Sequence, residues 1–119
     1  MVHNYRELKV WQRALSFTVW IYKETGALPD NERFGLTSQL RRASCSIPMN
    51  IAEGSGNSSP KEFCRFLEIA LRSDYEVMTA IEIARKLQYW SDTVGNALLK
   101  EGDEIAAMIV GLIKTLGGR

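Results

Sequence analysis

Apolar residues between Tyr5 and Thr25 recur with a helical period: Leu8, Trp11, Leu15, Val19 and Tyr22 follow one another at three- and four-residue steps. This spacing predicts an amphipathic helix with one buried stripe, which Val10, Ala14, Phe17 and Ile21 widen beyond a single seam. Gly26 and Pro29 end it and make the turn. A second helix is expected after Asp30-Asn31, either of which can cap its first amides. There Leu36, Leu40, Ala43, Ile47 and Ile51 share a face, while Arg41, Cys45, Pro48 and Ala52 form a small flank about 120° away. Pro48 has no amide donor and crowds the Ser44 carbonyl, which costs about 3 kcal/mol inside a helix. Either one continuous helix bends at Pro48, the favoured reading, or two short helices meet there. It should stop in Gly54-Ser55-Gly56-Asn57.

Ser59-Pro60-Lys61-Glu62 supplies a helix start: a capping hydroxyl, proline at the first position and an acid able to reach back to the cap amide. Phe63, Leu67, Ala70, Val77, Ile81 and Ala84 carry that helix forward. From Pro60 to Gln88 it would be about 43 Å long. A fourth stripe begins near Ser91-Asp92 and runs through Val94, Leu98, Ile105, Ile109 and Leu112, ending at Gly117-Gly118. Gly95 and Gly102 each weaken that helix by about 1 kcal/mol relative to alanine. No segment alternates with period two. The expected fold is all-α, an antiparallel up-down four-helix bundle with long helices, in a single domain over residues 1–119. Its core should hold Leu8, Trp11, Leu15, Leu40, Ile47, Ile51, Phe63, Leu67, Val77, Ile81, Ile105, Ile109 and Leu112.

The near balance of 15 Lys+Arg against 14 Asp+Glu hides a basic middle third. Residues 33–65 carry Arg33, Arg41, Arg42, Lys61 and Arg65 against Glu53 and Glu62, a net +3. A dedicated duplex-binding domain has a heavier excess, although self-association would sum several modest patches. No apolar run is long enough to span a membrane, and none follows a basic start as in a secretion signal. Two cysteines make no disulfide framework, so a cytoplasmic protein is expected.

Catalytic chemistry finds few components. A two-metal centre in a bundle needs four inward acids and Glu-x-x-His pairs, whereas the sole histidine is His3. Cys45 and Cys64 fall short of a zinc set. Ser44, Ser46, Ser55, Ser58 and Ser59 have no central histidine as a base. The run from Gly54 to Ser59 lacks the Gly-Lys-Ser/Thr of a phosphate loop. No catalytic residue, metal or cofactor is therefore assigned, and the protein is not expected to be an enzyme. Asp74 stands out because it interrupts the stripe of the third helix. A buried carboxylate needs a partner, so a structural salt bridge or an interface contact is expected, with Arg41, Arg42 and Arg72 available. Arg41, Arg42, Lys61, Arg65 and Arg72 are the candidate phosphate contacts. Trp20, Tyr75, Tyr89 and Trp90 either pack between helices or stack on bases.

Four segments carry a specific likeness. They are Tyr5 to Ala14 (YRELKVWQRA), Phe34 to Ala43 (FGLTSQLRRA), Ser46 to Gly54 (SIPMNIAEG) and Phe66 to Leu71 (FLEIAL). Together they resemble the ribosomal-RNA intervening-sequence proteins, a four-helix-bundle family. The chain is also similar to the accessory protein of diversity-generating retroelements, a homopentameric barrel of bundles that binds nucleic acid beside a reverse transcriptase. After the NIAEG the family pattern continues with an aromatic, a glycine and an arginine; here Ser55-Gly56-Asn57 keeps the glycine and lacks the arginine. Arg72-Ser73 stands where Gly-Ser is common, and the acid at Glu76 is retained. The likeness implies a homo-oligomer, a pentamer by family, with Pro48, Asn50, Glu53, Asp74 and Glu76 in structural roles. The functional expectation is a non-enzymatic, self-associating bundle that serves as a nucleic-acid-associated accessory or scaffold, with RNA or DNA as partner. The alternative is a protein–protein interaction scaffold without nucleic-acid contact.

Overall fold

Four α-helices account for most of the chain in the computed structural model, which describes residues 4–118; His3 lies outside them. They are α1 (Lys9–Thr25), α2 (Leu36–Ser55), α3 (Pro60–Lys86) and α4 (Asp92–Thr115), with short 3-10 turns at Tyr5–Glu7 and Asp30–Glu32. α1 packs on α2 and α4, and α3 packs on the same two helices, so α1 and α3 are diagonal across a square bundle. The bundle measures 45 × 22 × 21 Å, long enough for α3 to run along most of it. Antiparallel neighbours follow from pairs of cross-links: Thr18 meets Ser44 while Thr25, further along α1, meets the earlier Arg41 of α2, and Gln39 meets Glu76 while Ser46 meets the earlier Ser73. Between α3 and α4, Met78 faces Gly102 and Arg85 meets the earlier Asn96.

The face α1 presents to the core differs from the expected stripe. Val10, Ala14, Phe17 and Ile21 are buried, Leu8 and Trp11 are only partly covered, and Leu15 is 43% exposed. Both stripes share one helical period; the smaller one wins because Ala14 and Thr18 let α1 approach α2 closely. Thr18 Oγ donates there to the Ser44 carbonyl at 2.8 Å and lies 2.9 Å from its own Ala14 carbonyl. Leu112 is likewise half-buried, whereas the other core residues expected of α2, α3 and α4 are buried.

That contact explains Pro48. α2 continues from Leu36 to Ser55 with Pro48 buried inside it. The carbonyl that Pro48 leaves without an i+4 donor is that of Ser44. Thr18 supplies the donor from the neighbouring helix. Two residues later, the Asn50 side-chain amide donates to the Ser46 carbonyl at 2.8 Å and to Ser46 Oγ at 2.9 Å.

Helix ends are set by local chemistry. α2 begins at Leu36, later than the Asp30-Asn31 cap suggested, because residues 30–32 close a 3-10 turn and Glu32 accepts from the Leu36 amide at 3.0 Å. Ser59 Oγ caps α3 through the Glu62 amide, while the Glu62 carboxylate pairs with Arg65 rather than returning to the cap. α3 ends in a C-terminal motif in which Gln88 takes φ 63° and Tyr89 donates to the Ala84 carbonyl. α4 is unbroken despite its glycines, and Gly102 lets α3 come close, since a Cβ there would stand 2.7 Å from the Met78 side chain.

Gly54 lies within α2, not beyond it, and a Cβ there would approach Phe66 Cβ to 2.6 Å. We expect Gly54→Ala to destabilise the bundle by about 1–3 kcal/mol through overpacking of α2 against α3. Gly111→Ala, with nothing within 4 Å of the new methyl, should instead stabilise by up to about 1 kcal/mol. Urea denaturation of both variants checks the pair; equal effects would contradict the close approach.

Candidate functional site

The five candidate basic residues do not form one patch. Neighbours in a helix point about 100° apart, so Arg41 turns towards α1 while Arg42 faces outwards. The Arg41 guanidinium lies 4.8 Å from the Tyr22 ring centre and donates to Thr25 Oγ1 at 2.9 Å and the Tyr22 carbonyl at 3.3 Å. It is committed to the end of α1. Arg65 pairs with Glu62 at 2.9 Å and covers the Phe66 ring at 4.6 Å. Arg72 donates to the Glu68 carbonyl of its own helix. Arg42 and Lys61 are exposed and make no ion pair or hydrogen bond among the described residues. They stand apart: Arg42 borders Ser73 and Glu76, while Lys61 lies beside Cys64 and Gly118, twelve residues or about 18 Å back along α3.

The aromatic candidates are largely structural. Trp90 is buried and donates to the Glu24 carbonyl at 3.0 Å, and Trp20 donates to the Glu24 carboxylate. Tyr89 donates to Glu32, a bond that raises its pKa. Tyr75 alone stands out from the surface, 49% exposed.

Asp74 is fully buried, as its place in the stripe implied, but the expected salt bridge is absent. Neither carboxylate oxygen has a hydrogen-bond partner among the described residues. Burial first, then the carboxylates of Asp103 and Glu101, push its pKa up to about 8. Glu101 is itself held by a cation: Arg13 grips Glu101 at 2.8 and 2.6 Å and Glu104 at 2.9 Å, which holds the Arg13 proton more firmly. Asp74 is thus a neutral, protonated acid at pH 7.

Two surface features were not expected as sites. One is a ridge on α1, where Leu15, Val19 and Tyr22 had been placed on the core side. The other is a groove of about 250 Å³ between α2 and α3, lined by Gln39, Arg42, Ala43, Ser46, Ser73 and Glu76. Its floor is bonded across the helices: Ser46 Oγ to Ser73 Oγ at 2.8 Å, with the Gln39 amide donating to Glu76. The signal for the ridge was present in the second apolar stripe; nothing in the spacing identified the groove. Tyr22 OH lies 3.4 Å from Cys45 Sγ, and this contact, with burial, raises the tyrosine pKa. Both cysteines are free, and no group of three metal-binding side chains occurs among the described residues. No described helix is long and apolar enough to cross a membrane.

Residues 6–111 match the family described as 23S rRNA-intervening sequence protein. The chain belongs to that family. A similar solved structure is the 1.70 Å crystal structure of a protein with unknown function from the S23 ribosomal protein family of Bacteroides thetaiotaomicron. It is 26% identical, with a TM-score of 0.80 over 88% of this chain and 98% of that one. Among curated proteins no relative matches the sequence. In this intervening-sequence protein most of the Ser46–Gly54 segment is architectural. Ile47 and Ile51 fill the core, Pro48 leans on Thr18 through the Ser44 carbonyl, and Gly54 admits Phe66. Asn50 holds Ser46 at the groove, while Met49 and Glu53 are exposed, Glu53 without an ion pair or hydrogen bond among the described residues.

Proposed function

We propose that this protein is a non-enzymatic, self-associating bundle that acts as a nucleic-acid-associated accessory or scaffold. The apolar ridge on α1 carries the reading, because a bundle that has buried one stripe of α1 still exposes a second. Membership in a family described by its 23S rRNA intervening sequence supports a nucleic-acid setting. The family likeness implies five copies, and a closed ring would repeat Arg42 and Lys61 around its surface. Contacts of this kind are weak per subunit, poor in sequence information and strongly dependent on salt. Repetition along one polymer supplies the affinity.

Fluorescence anisotropy of a labelled RNA and a labelled DNA, across a salt series, tests this. Arg42→Ala and Lys61→Ala should each lower affinity and reduce the salt slope by about one unit. Arg41→Ala should reduce thermal stability through its lost bonds to Thr25 and Tyr22. An unchanged slope in the Arg42/Lys61 double variant would remove these residues as the contact. Assembled protein that binds neither polymer at low salt would favour a protein–protein scaffold.

A further inference from the structure

Arg42 and Glu76 both line the groove between α2 and α3, yet they do not pair with each other. Gln39, Arg42 and Ser46 follow at helical steps along α2, and Ser73 and Glu76 do so along α3, so five polar side chains face one hollow. The Gln39 amide holds the Glu76 side chain, a carboxylate that can only accept. The hydroxyls of the floor have a direction too. The Asn50 amide nitrogen can only donate, so Ser46 Oγ accepts from it at 2.9 Å. Ser46 and Ser73 share one bond of 2.8 Å between two hydroxyls, which leaves one O–H to donate.

This set suits a neutral hydroxyl and not a phosphate. A hydroxyl donates one proton and accepts others, so it can lie between the Glu76 carboxylate and a serine O–H. A phosphate oxygen only accepts, and Glu76 repels it. Phosphate belongs at the rim, on Arg42. The backbone of RNA meets both demands at once. Its phosphodiester leaves the 3′ carbon of the sugar, next to the carbon that bears the 2′-hydroxyl, and on the same face of the ring; the base stands on the other face. A phosphate on Arg42 therefore delivers the adjoining 2′-hydroxyl into the groove. The hollow of about 250 Å³ is smaller than the roughly 300–1,000 Å³ of small-molecule sites, which suits one sugar of a polymer rather than a whole free ligand.

We infer that the α2/α3 groove reads the ribose of RNA: Arg42 takes a backbone phosphate, Glu76 accepts from the neighbouring 2′-hydroxyl, and a hydroxyl of Ser46 or Ser73 donates to it. The 2′-hydroxyl is the group by which a protein tells RNA from DNA at one site. On a DNA strand Glu76 finds no such donor, and its charge acts only as a repulsion towards the backbone. This rests on the nucleic-acid contact proposed above and adds which polymer that contact prefers. A sugar contact needs no particular base, in keeping with binding that carries little sequence information.

Fluorescence anisotropy on three labelled single strands of one uracil-containing sequence tests it: RNA, its 2′-deoxy form, and its 2′-O-methyl form, which can accept but not donate. Wild-type protein should bind RNA about tenfold tighter than either of the others, the size of one charge-assisted hydrogen bond. Glu76→Gln should bring the ratio of RNA to DNA affinity close to one, partly by raising affinity for DNA. Ser46→Ala combined with Ser73→Ala should lower the ratio too, whereas Arg42→Ala should weaken both polymers. A folding defect would lower both affinities together, so the ratio reports the groove, and the three-strand comparison on wild type needs no variant. Equal wild-type affinity for RNA and DNA, with a salt slope still dependent on Arg42, would overturn the ribose reading and leave the nucleic-acid contact intact. An RNA preference unchanged in Glu76→Gln would also overturn it, as would a preference that follows guanine content whatever the sugar. Failure of every strand to bind at low salt would remove both this inference and the contact beneath it.

Discussion

Between about pH 4 and pH 8 the wild-type protein will lose stability at up to about 1.4 kcal/mol per pH unit more than an Asp74→Asn variant. The sign follows from proton counts. In the unfolded chain Asp74 titrates near its ordinary value of about 3.9, whereas in the bundle burial holds its pKa at about 8. Below pH 4 both states carry the proton and the residue adds no slope. From there to pH 8 the folded state holds one proton more, so raising the pH favours unfolding. Above pH 8 both states are ionised and the loss is complete. At pH 7, three units into this window, the difference amounts to about 4 kcal/mol, a sizeable part of a typical domain's stability. Because Asp74 is fully buried, solvent does not screen the effect. Urea denaturation of both proteins from pH 4 to pH 9 measures it. Parallel profiles would show that Asp74 is solvated or paired in solution. Asp74→Leu should be more stable than wild type at pH 8, since it fits an apolar side chain where the carboxyl now lacks partners.

The second large effect belongs to Thr18. Thr18→Val keeps the shape of the side chain and removes its hydroxyl, which leaves the buried Ser44 carbonyl without the Thr18 donor. A cost of about 1–3 kcal/mol is expected. Thr18→Ser, which retains the donor, should lose less. The decisive measurement is a double-mutant cycle with Pro48→Ala. That change returns an amide to position 48, and the Ser44 carbonyl can then accept within its own helix. In that background Thr18→Val should lose much of its effect, a coupling of about 1–2 kcal/mol. Additive costs would mean that the hydroxyl serves only the Ala14 carbonyl.

Local chemistry makes some helix ends legible in the sequence and not others: the Asp30-Asn31 cap misplaces the start of α2, which begins at Leu36. Ser59-Pro60-Lys61-Glu62 located the start of α3 because a cap is made by residues within one turn. The apolar period likewise established four helices and the burial of Asp74. What could not be read depended on neighbours. The two stripes of α1 are equivalent in period, and only the close fit of Ala14 and Thr18 against α2 selects the one that faces inwards. The expected salt bridge of Asp74 fails for the same reason: Arg41 is held by Thr25 and Tyr22, Arg72 donates to the Glu68 carbonyl of its own helix, and Arg42 faces outwards. Sequence adjacency grouped Arg41 with Arg42, while helical geometry separated them. The candidate site is the least legible part, because a surface is assembled from elements distant in the chain.

The bond from Thr18 to Ser44 also bears on the order in which the chain acquires structure. α3 and α4 carry their own caps at Ser59 and Ser91, so each can begin without a neighbour. α2 has no side-chain cap bond from its N-cap residue, Gly35, and contains a proline in its middle. Its helical state is therefore conditional, with the Ser44 hydrogen bond available only after α1 has docked. During synthesis the amino-terminal half leaves the ribosome first, yet neither α1 nor α2 has a side-chain cap bond from its own N-cap residue, and α2 also carries Pro48. Formation of α2 and its docking against its neighbours are consequently coupled, because the Ser44 carbonyl gains its donor only once the α1–α2 seam is closed.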